Sequence, residues 1–117
     1  MDATGPIKMR WTDEECQQAM ERARALHPIL SDPRALAERA RIFHALGNET
    51  RLQILGLLSL QEMCVCNLVA AVGGAASTLA HHLRMLEEAG LIRARQEGKF
   101  TLYALNDAPI RQHRAFE

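Results

Sequence analysis

Residues 63–90 read MCVCNLVAAVGGAASTLAHHLRMLEEAG, and most of the architecture can be inferred from them. Two cysteines open the stretch, an apolar segment follows, and Gly73-Gly74 interrupts it before a second, amphipathic segment that ends at Gly90. One helix face of the second segment carries leucines at the i, i+4, i+7 spacing: Leu79, Leu83 and Leu86. The stretch therefore predicts a short helix, a tight turn and a longer helix with a polar outer face, which is a helix-turn-helix.

The cysteine pair at the start of the stretch, Cys64 and Cys66, is a candidate metal site. In the middle of a helix, side chains two residues apart point about 200° apart, so two thiols there would not share one ion. In an extended segment that enters a helix they can point the same way, with Val65 turned toward the core. We therefore expect the pair at the very start of the helix, where the terminus favours the thiolate that soft metals bind.

Upstream of the cysteines, helix-capping residues predict three helices. Thr12 and Glu15 have the spacing of a capping box, so the first helix is expected over about residues 12–27. Asp32 is the expected cap of the second helix, and Asn48 is the expected cap of the third. The apolar positions of these helices predict an aliphatic core that includes Leu36, Ala40, Phe43, Leu52, Ile54, Leu55 and Leu58.

Downstream of Gly90 the pattern changes from helix to strand. Residues 91–105 alternate apolar and polar side chains on either side of a central turn, Glu97-Gly98-Lys99, which predicts a two-stranded hairpin. Basic side chains surround the tip of this hairpin: Arg93, Arg95 and Lys99. A last short helix is expected over residues 108–116, after the capping pair Asn106-Asp107.

Length, charge and composition narrow the class of protein. The chain has 117 residues, for which we expect one domain over residues 11–117 and a flexible arm at residues 1–10. The formal net charge is zero, so nucleic-acid binding would have to use basic groups that are clustered locally. Three cysteines cannot all pair within one chain, which argues against a disulfide framework.

Several other functional classes are disfavoured by the sequence. We find no apolar run of membrane-spanning length and no secretory signal pattern, so a cytoplasmic protein without membrane contact is expected. We also find no carboxylate pair, no nucleophile with a neighbouring base and no phosphate-binding loop. The chain is therefore expected to be neither an enzyme nor a binder of an organic cofactor.

Four segments resemble the ArsR/SmtB family of metal-sensing bacterial repressors. They are RIFHALGNETRLQILGLL, MCVCNLVAAV, STLAHHLRMLEEAGLI and RQEGKFTLYALN, and the resemblance covers roughly residues 33–106. It implies a mainly α-helical winged helix-turn-helix with a small β-hairpin, with the helix-turn-helix at about residues 65–89 and the wing at about 91–105. It further implies a homodimer, held by helices at about 12–27 and 108–116, that binds double-stranded operator DNA with an imperfect palindrome.

The resemblance also implies metal ligands and an inducer. Cys64 and Cys66 match the ligands of family members with a CVC motif, which typically sense arsenite and antimonite, or cadmium and lead. Arsenite sensors with all ligands in one segment have a third cysteine where this chain has Val69. Cys16 is therefore the candidate third ligand, as amino-terminal cysteines are in the cadmium and lead sensors. Three sulfurs suit trigonal As(III), Sb(III) or Pb(II) better than tetrahedral Cd(II) or Zn(II). We expect As(III) or Sb(III) as the inducer, with Cd(II), Pb(II) or Zn(II) as alternatives.

For DNA binding, the resemblance assigns the second helix of the turn motif to the major groove and the hairpin to the phosphates or the minor groove. The residues expected at the DNA are Ser77, Thr78, His81, His82 and Arg84 on the helix, with Arg93, Arg95 and Lys99 on the wing. His82 has a second interpretation, as a packed histidine that supports the helix. Two other functions stay open at this point: a repressor that senses thiol oxidation, and a metal-sequestering module that does not bind DNA.

Overall fold

The computed structural model describes residues 9–112, which form helices around a small sheet. In chain order the elements are α1 (Asp13–Leu26), a 3-10 turn (Pro28–Ser31), α2 (Pro33–Leu46), α3 (Glu49–Leu58), β1 (Met63–Cys64), α4 (Val65–Val72), α5 (Ala76–Glu88), β2 (Ile92–Glu97), β3 (Phe100–Leu105) and α6 (Ala108–Gln112). Residues 1–8 of the expected arm and residues 113–116 of the expected last helix lie outside the described residues. Within residues 9–112, no helix combines the length and the apolar character that a bilayer crossing demands.

The first three helices begin at the residues that the capping signals predict. The capping box is present, because the Glu15 N–H donates to Thr12 Oγ1 at 3.1 Å and the Thr12 N–H donates to Glu15 Oε1 at 3.0 Å. Asp32 caps α2 by accepting the N–H of Ala35 at 3.1 Å. Asn48 caps α3 in the same way. These local rules succeed because a cap involves only residues three positions apart.

The core lies between α2, α3, α4, α5 and the sheet. Its buried members are Ile42, Ala45, Ile54, Leu55, Leu58, Leu68, Leu79, Leu83, Leu86, Leu91 and Ile92. The leucines predicted on one face of α5 are all buried. Within the described chain, α1 (Asp13–Leu26) buries none of its residues, and the molecule is elongated, with extents of 62 × 25 × 23 Å. The helix-turn-helix is therefore packed within one chain, whereas α1 is not.

Part of the core prediction is wrong. Leu52 was expected to point inward, but 52% of its surface is exposed. The buried face of α3 instead runs through Arg51, Ile54, Leu55 and Leu58, and Leu52 lies about 100° around the helix from Arg51. In α2 the expected core residues Leu36, Ala40 and Phe43 are exposed, and the buried positions are Ile42 and Ala45.

The sheet has three strands where the sequence predicts a two-stranded hairpin. The expected pair is present, since β2 and β3 are antiparallel and in register from Ile92 opposite Leu105 to Glu97 opposite Phe100. The additional strand is β1, which pairs with β3 through Met63 opposite Tyr103 and Cys64 opposite Leu102. Two residues are too few to show a strand period, so the sequence pattern does not reveal β1. Its presence makes the cysteine segment part of the wing.

The turn between α4 and α5 depends on two glycines. Gly73 and Gly74 have φ angles of 86° and 84°, in the region that side chains with a Cβ rarely adopt. A Cβ at either position would meet no atom within 4 Å, so the constraint is backbone conformation and not space. The glycine pair thus sets the direction in which α5 leaves the turn.

Candidate metal site and nucleic-acid interface

The cysteine pair lies where strand β1 becomes helix α4. Cys64 is the last residue of β1 and the N-cap of α4, and Cys66 is the second residue of the helix. Cys64 is half-buried and Cys66 is exposed, and both are free thiols. Between them, Val65 packs against the core. The predicted position of the pair at the helix start, with Val65 inward, is confirmed.

The sulfur of Cys64 receives the hydrogen-bond donors of the first helical turn. The Asn67 side chain completes a capping box: its Oδ1 accepts the N–H of Cys64 at 3.3 Å and also the S–H of Cys64 at 3.0 Å. The backbone N–H of Asn67, and then those of Cys66 and Cys64 with the Cys66 thiol, stabilise the thiolate and lower the pKa of Cys64. A lowered pKa favours the thiolate, which is the form of cysteine that binds soft metals and attacks electrophiles.

Cys16 is not part of this site within one chain. It lies exposed on α1, in the first turn after the Thr12 cap. Across the described residues of a single chain, no group of three or more His, Cys, Asp or Glu side chains could hold a metal ion. Within the described residues, one chain therefore offers a soft ion two neighbouring thiols, Cys64 and Cys66.

The outer face of α5 carries four of the five helix residues that are expected at the DNA. Ser77, Thr78, His81 and Arg84 are exposed, and Arg84 Nη2 lies 3.2 Å from His81 Nδ1. Thr78 also lines a groove of about 330 Å³ between α3, the glycine turn and α5. Thr50 and Gln53 of α3 line the same groove, and the sequence analysis did not single them out. Two polar residues three positions apart on α3 were the signal that could have found them.

Arg51 is a charged residue that the core buries, with 6% of its surface exposed. Its Nε donates to the carbonyl of Ala45 at 2.7 Å, and its Nη2 donates to the carbonyl of His44 at 3.2 Å. Both carbonyls belong to the last turn of α2, where the helix dipole favours a cation. Arg51 Nη1 lies 3.2 Å from Nδ1 of His82 on α5. One guanidinium therefore connects α2, α3 and α5.

His82 is the fifth helix residue expected at the DNA. It contacts Arg51 and is half-buried at the edge of the groove between α3 and α5. Since a guanidinium only donates hydrogen bonds, Nδ1 of His82 accepts, and the ring is neutral with its proton on Nε2. Burial, then the charge of Arg51 and the neighbouring ring of His81, lowers the pKa of His82. This geometry favours the interpretation of His82 as a histidine that supports the helix.

The basic residues of the wing differ in how many hydrogen bonds they make to other side chains of the chain. Arg95 holds Glu62, with Nε to Oε2 and Nη2 to Oε1 both at 2.9 Å, and its Nη1 contacts Glu97. These bonds raise the pKa of Arg95, and the bond from Arg95 lowers the pKa of Glu62. Arg93 donates to Asn106 Oδ1 at 3.3 Å, and Lys99 lies exposed in the turn. The net positive charge of the wing is thus smaller than its arginine and lysine content indicates, because carboxylates offset the charge of Arg95.

Comparisons with known proteins identify the family. The family profile described as "Bacterial regulatory protein, arsR family" matches residues 48–94. The cadmium resistance transcriptional regulatory protein CadC homolog of Staphylococcus aureus is 39% identical over 74 residues, which are 62% of this chain and 61% of that protein. This chain therefore spans less than two thirds of the cadmium regulator. The arsenical resistance operon repressor of the same organism is 37% identical over 71 residues, 61% of this chain and 68% of that protein.

A solved structure extends the similarity to the fold. The solution structure of a homodimeric winged helix-turn-helix DNA-binding domain from Mycobacterium bovis, a possible ArsR-family transcriptional regulator, matches with a TM-score of 0.63 and 36% identity. The match covers 68% of this chain and 77% of that one. The winged helix-turn-helix prediction is confirmed, and these relatives are transcriptional regulators rather than enzymes. The chain belongs to the arsR family of bacterial regulatory proteins.

Proposed function

We propose that this chain is a transcriptional repressor that binds operator DNA as a homodimer and is released when As(III) or Sb(III) binds cysteine thiolates. The observation that carries the proposal is Cys64, whose thiol has a lowered pKa at the N-terminus of the first helix of the helix-turn-helix. Cys66 lies beside it in the first turn of α4. Relatives named for arsenical and cadmium resistance support a thiophilic inducer.

A homodimer supplies the third sulfur in this proposal. Helix α1 carries Cys16 and leaves Met20 and Leu26 exposed by 48% and 74%, and Trp11 just before the helix is 54% exposed. These apolar side chains favour packing against a second copy. The homodimeric relative supports the same assembly. Cys16 of one copy would then complete the pair on the other. Three sulfurs without a fourth favour trigonal As(III) or Sb(III).

The DNA interface in this proposal combines α5 and the wing. Ser77, Thr78, His81 and Arg84 would face the bases and phosphates of the major groove. Arg93, Arg95 and Lys99 would reach the phosphates beside it. In a twofold-symmetric dimer the two α5 helices enter successive major grooves about 34 Å apart, which is why we expect an imperfect palindrome as operator.

Two alternatives share the same thiols. Pb(II) would use the three sulfurs of Cys64, Cys66 and Cys16, whereas Cd(II) or Zn(II) would add a fourth ligand from outside the cysteine set. The lowered pKa of Cys64 also favours a redox sensor, in which the Cys64 thiolate attacks hydrogen peroxide, forming a sulfenic acid and releasing hydroxide. Peroxide and each metal ion therefore have to be tested beside arsenite.

The test is release from DNA in solution. A labelled duplex selected by the wild-type protein from a random pool is followed by fluorescence anisotropy as arsenite is added to the reduced complex. Arsenite is expected to weaken wild-type binding about 5- to 150-fold, the usual range of allosteric coupling. Cys64→Ser and Cys66→Ser are expected to bind the duplex normally and to stay bound. Release of either variant at the wild-type arsenite concentration would contradict the site.

The number of sulfurs is measured in the same titration. Arsenic–sulfur bonds absorb in the ultraviolet, and the band is expected to saturate at about one arsenite per subunit for a single site. Cys16→Ser is expected to weaken the band while leaving DNA binding intact. An unchanged band in Cys16→Ser would reduce the site to two sulfurs. Release by peroxide in place of arsenite would favour the redox sensor.

A further inference from the structure

The three-stranded sheet brings a candidate metal ligand and a candidate DNA contact onto one face. Leu102 of β3 lies opposite Cys64 on β1 and opposite Arg95 on β2. Residues in register on neighbouring strands project to the same side of a sheet, and two strand spacings amount to about 10 Å. Glu62, two positions before Cys64, projects to that side as well. The thiol, the carboxylate and the guanidinium therefore share the outer face of the wing.

Glu62 and Arg95 form a two-pronged ion pair on this face. Both oxygens of Glu62 accept from Arg95, each at 2.9 Å. The side chains of Arg95 and Glu62 are 50% and 40% exposed, so solvent and other ligands reach the pair. Glu62 ends the turn at residues 59–62 that leads from α3 into β1. The pair thus links the segment that carries Cys64 to the strand that carries the wing arginines.

The carboxylate occupies the donors that a phosphate would need. Arginine binds carboxylates and phosphates with the same planar fork of N–H groups, so one guanidinium edge serves either Glu62 or a phosphate. Exposed ion pairs are weak, because water and salt screen both charges, and a phosphate can therefore displace the carboxylate. Displacement would leave Glu62 beside the DNA backbone as a like charge, which opposes binding.

We propose that Glu62 competes with operator phosphate for Arg95, and that this exchange connects the Cys64–Cys66 segment to the wing. The inference rests on the proposed function, in which the wing contacts DNA. In DNA-bound protein Arg95 leaves Glu62 for a phosphate, and the turn at residues 59–62 lets the carboxylate move away. An inducer held by Cys64 restrains β1 and so keeps the Glu62 carboxylate bound to Arg95. The guanidinium of Arg95 is then not available to the DNA phosphate.

The competition is tested without any inducer, by a double-mutant cycle on DNA affinity. The probe is the labelled duplex, and the variants are Glu62→Gln, Arg95→Gln and the two together. Glu62→Gln is expected to bind about two- to fivefold more tightly than wild type, the range of exposed ion pairs. The same change made in Arg95→Gln protein is expected to give a smaller gain, because only the repulsion between Glu62 and the DNA backbone is then removed. An equal gain in both backgrounds would show a general charge effect and overturn the competition, as would no gain in wild type.

The connection to the cysteines is tested with arsenite, and Glu97→Gln is the matched control. Glu97 also contacts Arg95 but lies on β2, away from the cysteine segment. Both variants remove one negative charge beside Arg95. Glu62→Gln is expected to reduce the ratio of affinities without and with arsenite at least twofold, and Glu97→Gln is expected to preserve it. Equal ratios in the two variants would overturn the connection.

Failure of this inference can be told from failure of the proposed function. If arsenite does not release wild-type protein from the duplex, the inducer assignment is wrong, and the inducer-free cycle still reports on Glu62 and Arg95. If arsenite releases wild-type protein normally but the double-mutant cycle shows no coupling between Glu62 and Arg95, the proposed repressor function is supported. The proposed competition between Glu62 and phosphate is then wrong.

Discussion

Two arginines of this chain hold neighbouring elements together in opposite ways. Arg51 is buried and donates to uncharged acceptors, the carbonyls of His44 and Ala45 and the ring of His82. Arg95 is half-exposed and donates to the carboxylate of Glu62 and to that of Glu97. The Arg51 side chain is almost fully buried, so it is far less accessible to anions from solvent than Arg95 is. The exposed contact can be exchanged for any anion with suitable geometry.

The difference separates the rigid part of the molecule from the responsive part. The helix-turn-helix is fixed by the core leucines and by Arg51, so α5 keeps its position relative to α2 and α3. The wing and the cysteine segment are joined by a two-residue strand and by surface ion pairs. Under the proposed function, we therefore expect a ligand at Cys64 to act on the wing through the β1–β3 pairing and the surface ion pair.

The largest effect is expected from removing the buried arginine. Arg51→Ala leaves the buried carbonyl of Ala45 without its donor, and likewise the part-buried carbonyl of His44 and ring of His82. Loss of such charged hydrogen bonds is expected to lower the free energy of unfolding by about 2–4 kcal/mol. Urea unfolding followed by circular dichroism measures the change.

Arg95→Ala is the matched control for this prediction. Its side chain is exposed, and its carboxylate partners are solvated when it is removed. We expect its urea midpoint to stay close to that of wild type. A midpoint for Arg51→Ala that also matched wild type would show that the buried contact does not stabilise the fold and would remove the contrast between the two arginines.

An intermediate effect is expected from acid, through His82. Its pKa is lowered below the usual 6.5, so the unfolded chain binds this proton more readily than the folded one. The contribution of His82 to stability is therefore complete above pH 6.5 and is lost as the pH falls through 6.5 toward the lowered pKa. His82→Asn, whose amide oxygen can accept from Arg51 and does not titrate, is expected to flatten this part of the stability profile.

His81→Asn is the matched control for the acid effect. His81 lies next to His82 on α5 but is exposed and contacts Arg84 instead of Arg51. Its urea midpoints are expected to follow the wild-type dependence on pH. If His81→Asn flattened the profile and His82→Asn did not, the assignment of the buried contact to His82 would be wrong.

Sequence reasoning succeeded where a few neighbouring residues determine the outcome. Thr12, Asp32 and Asn48 cap their helices through residues three positions away. The cysteine pair lies at a helix start because Cys64 ends an extended segment. The leucine spacing of α5 gave its buried face without tertiary information. Each of these features can be deduced from one turn of chain.

The contacts that define the site were not predictable in this way. Arg51 and His82 are 31 residues apart, and Arg95 and Glu62 are 33 residues apart, so each pair depends on how separate elements pack. The position of Arg51 is available in the pattern, because it precedes Leu55 and Leu58 at buried-face spacing, but the apolar character of Leu52 favours Leu52 as the inward residue. Glu62 carried no signal, since β1 is defined only by its pairing with β3.

The smallest effect is expected from the exposed arginine, and it concerns DNA instead of stability. Each phosphate that a cation neutralises releases condensed counterions, so the logarithm of affinity falls with the logarithm of salt by about 0.9 per contact. Arg95→Gln is expected to lower that slope by about this amount on any duplex, whatever its sequence. Arg24→Gln removes an exposed cation from α1 and is expected to leave the slope unchanged. An equal slope for wild type and Arg95→Gln would mean that Arg95 stays with Glu62 when DNA binds. Both arginines would then only connect elements within the protein, Arg51 in the core and Arg95 on the surface.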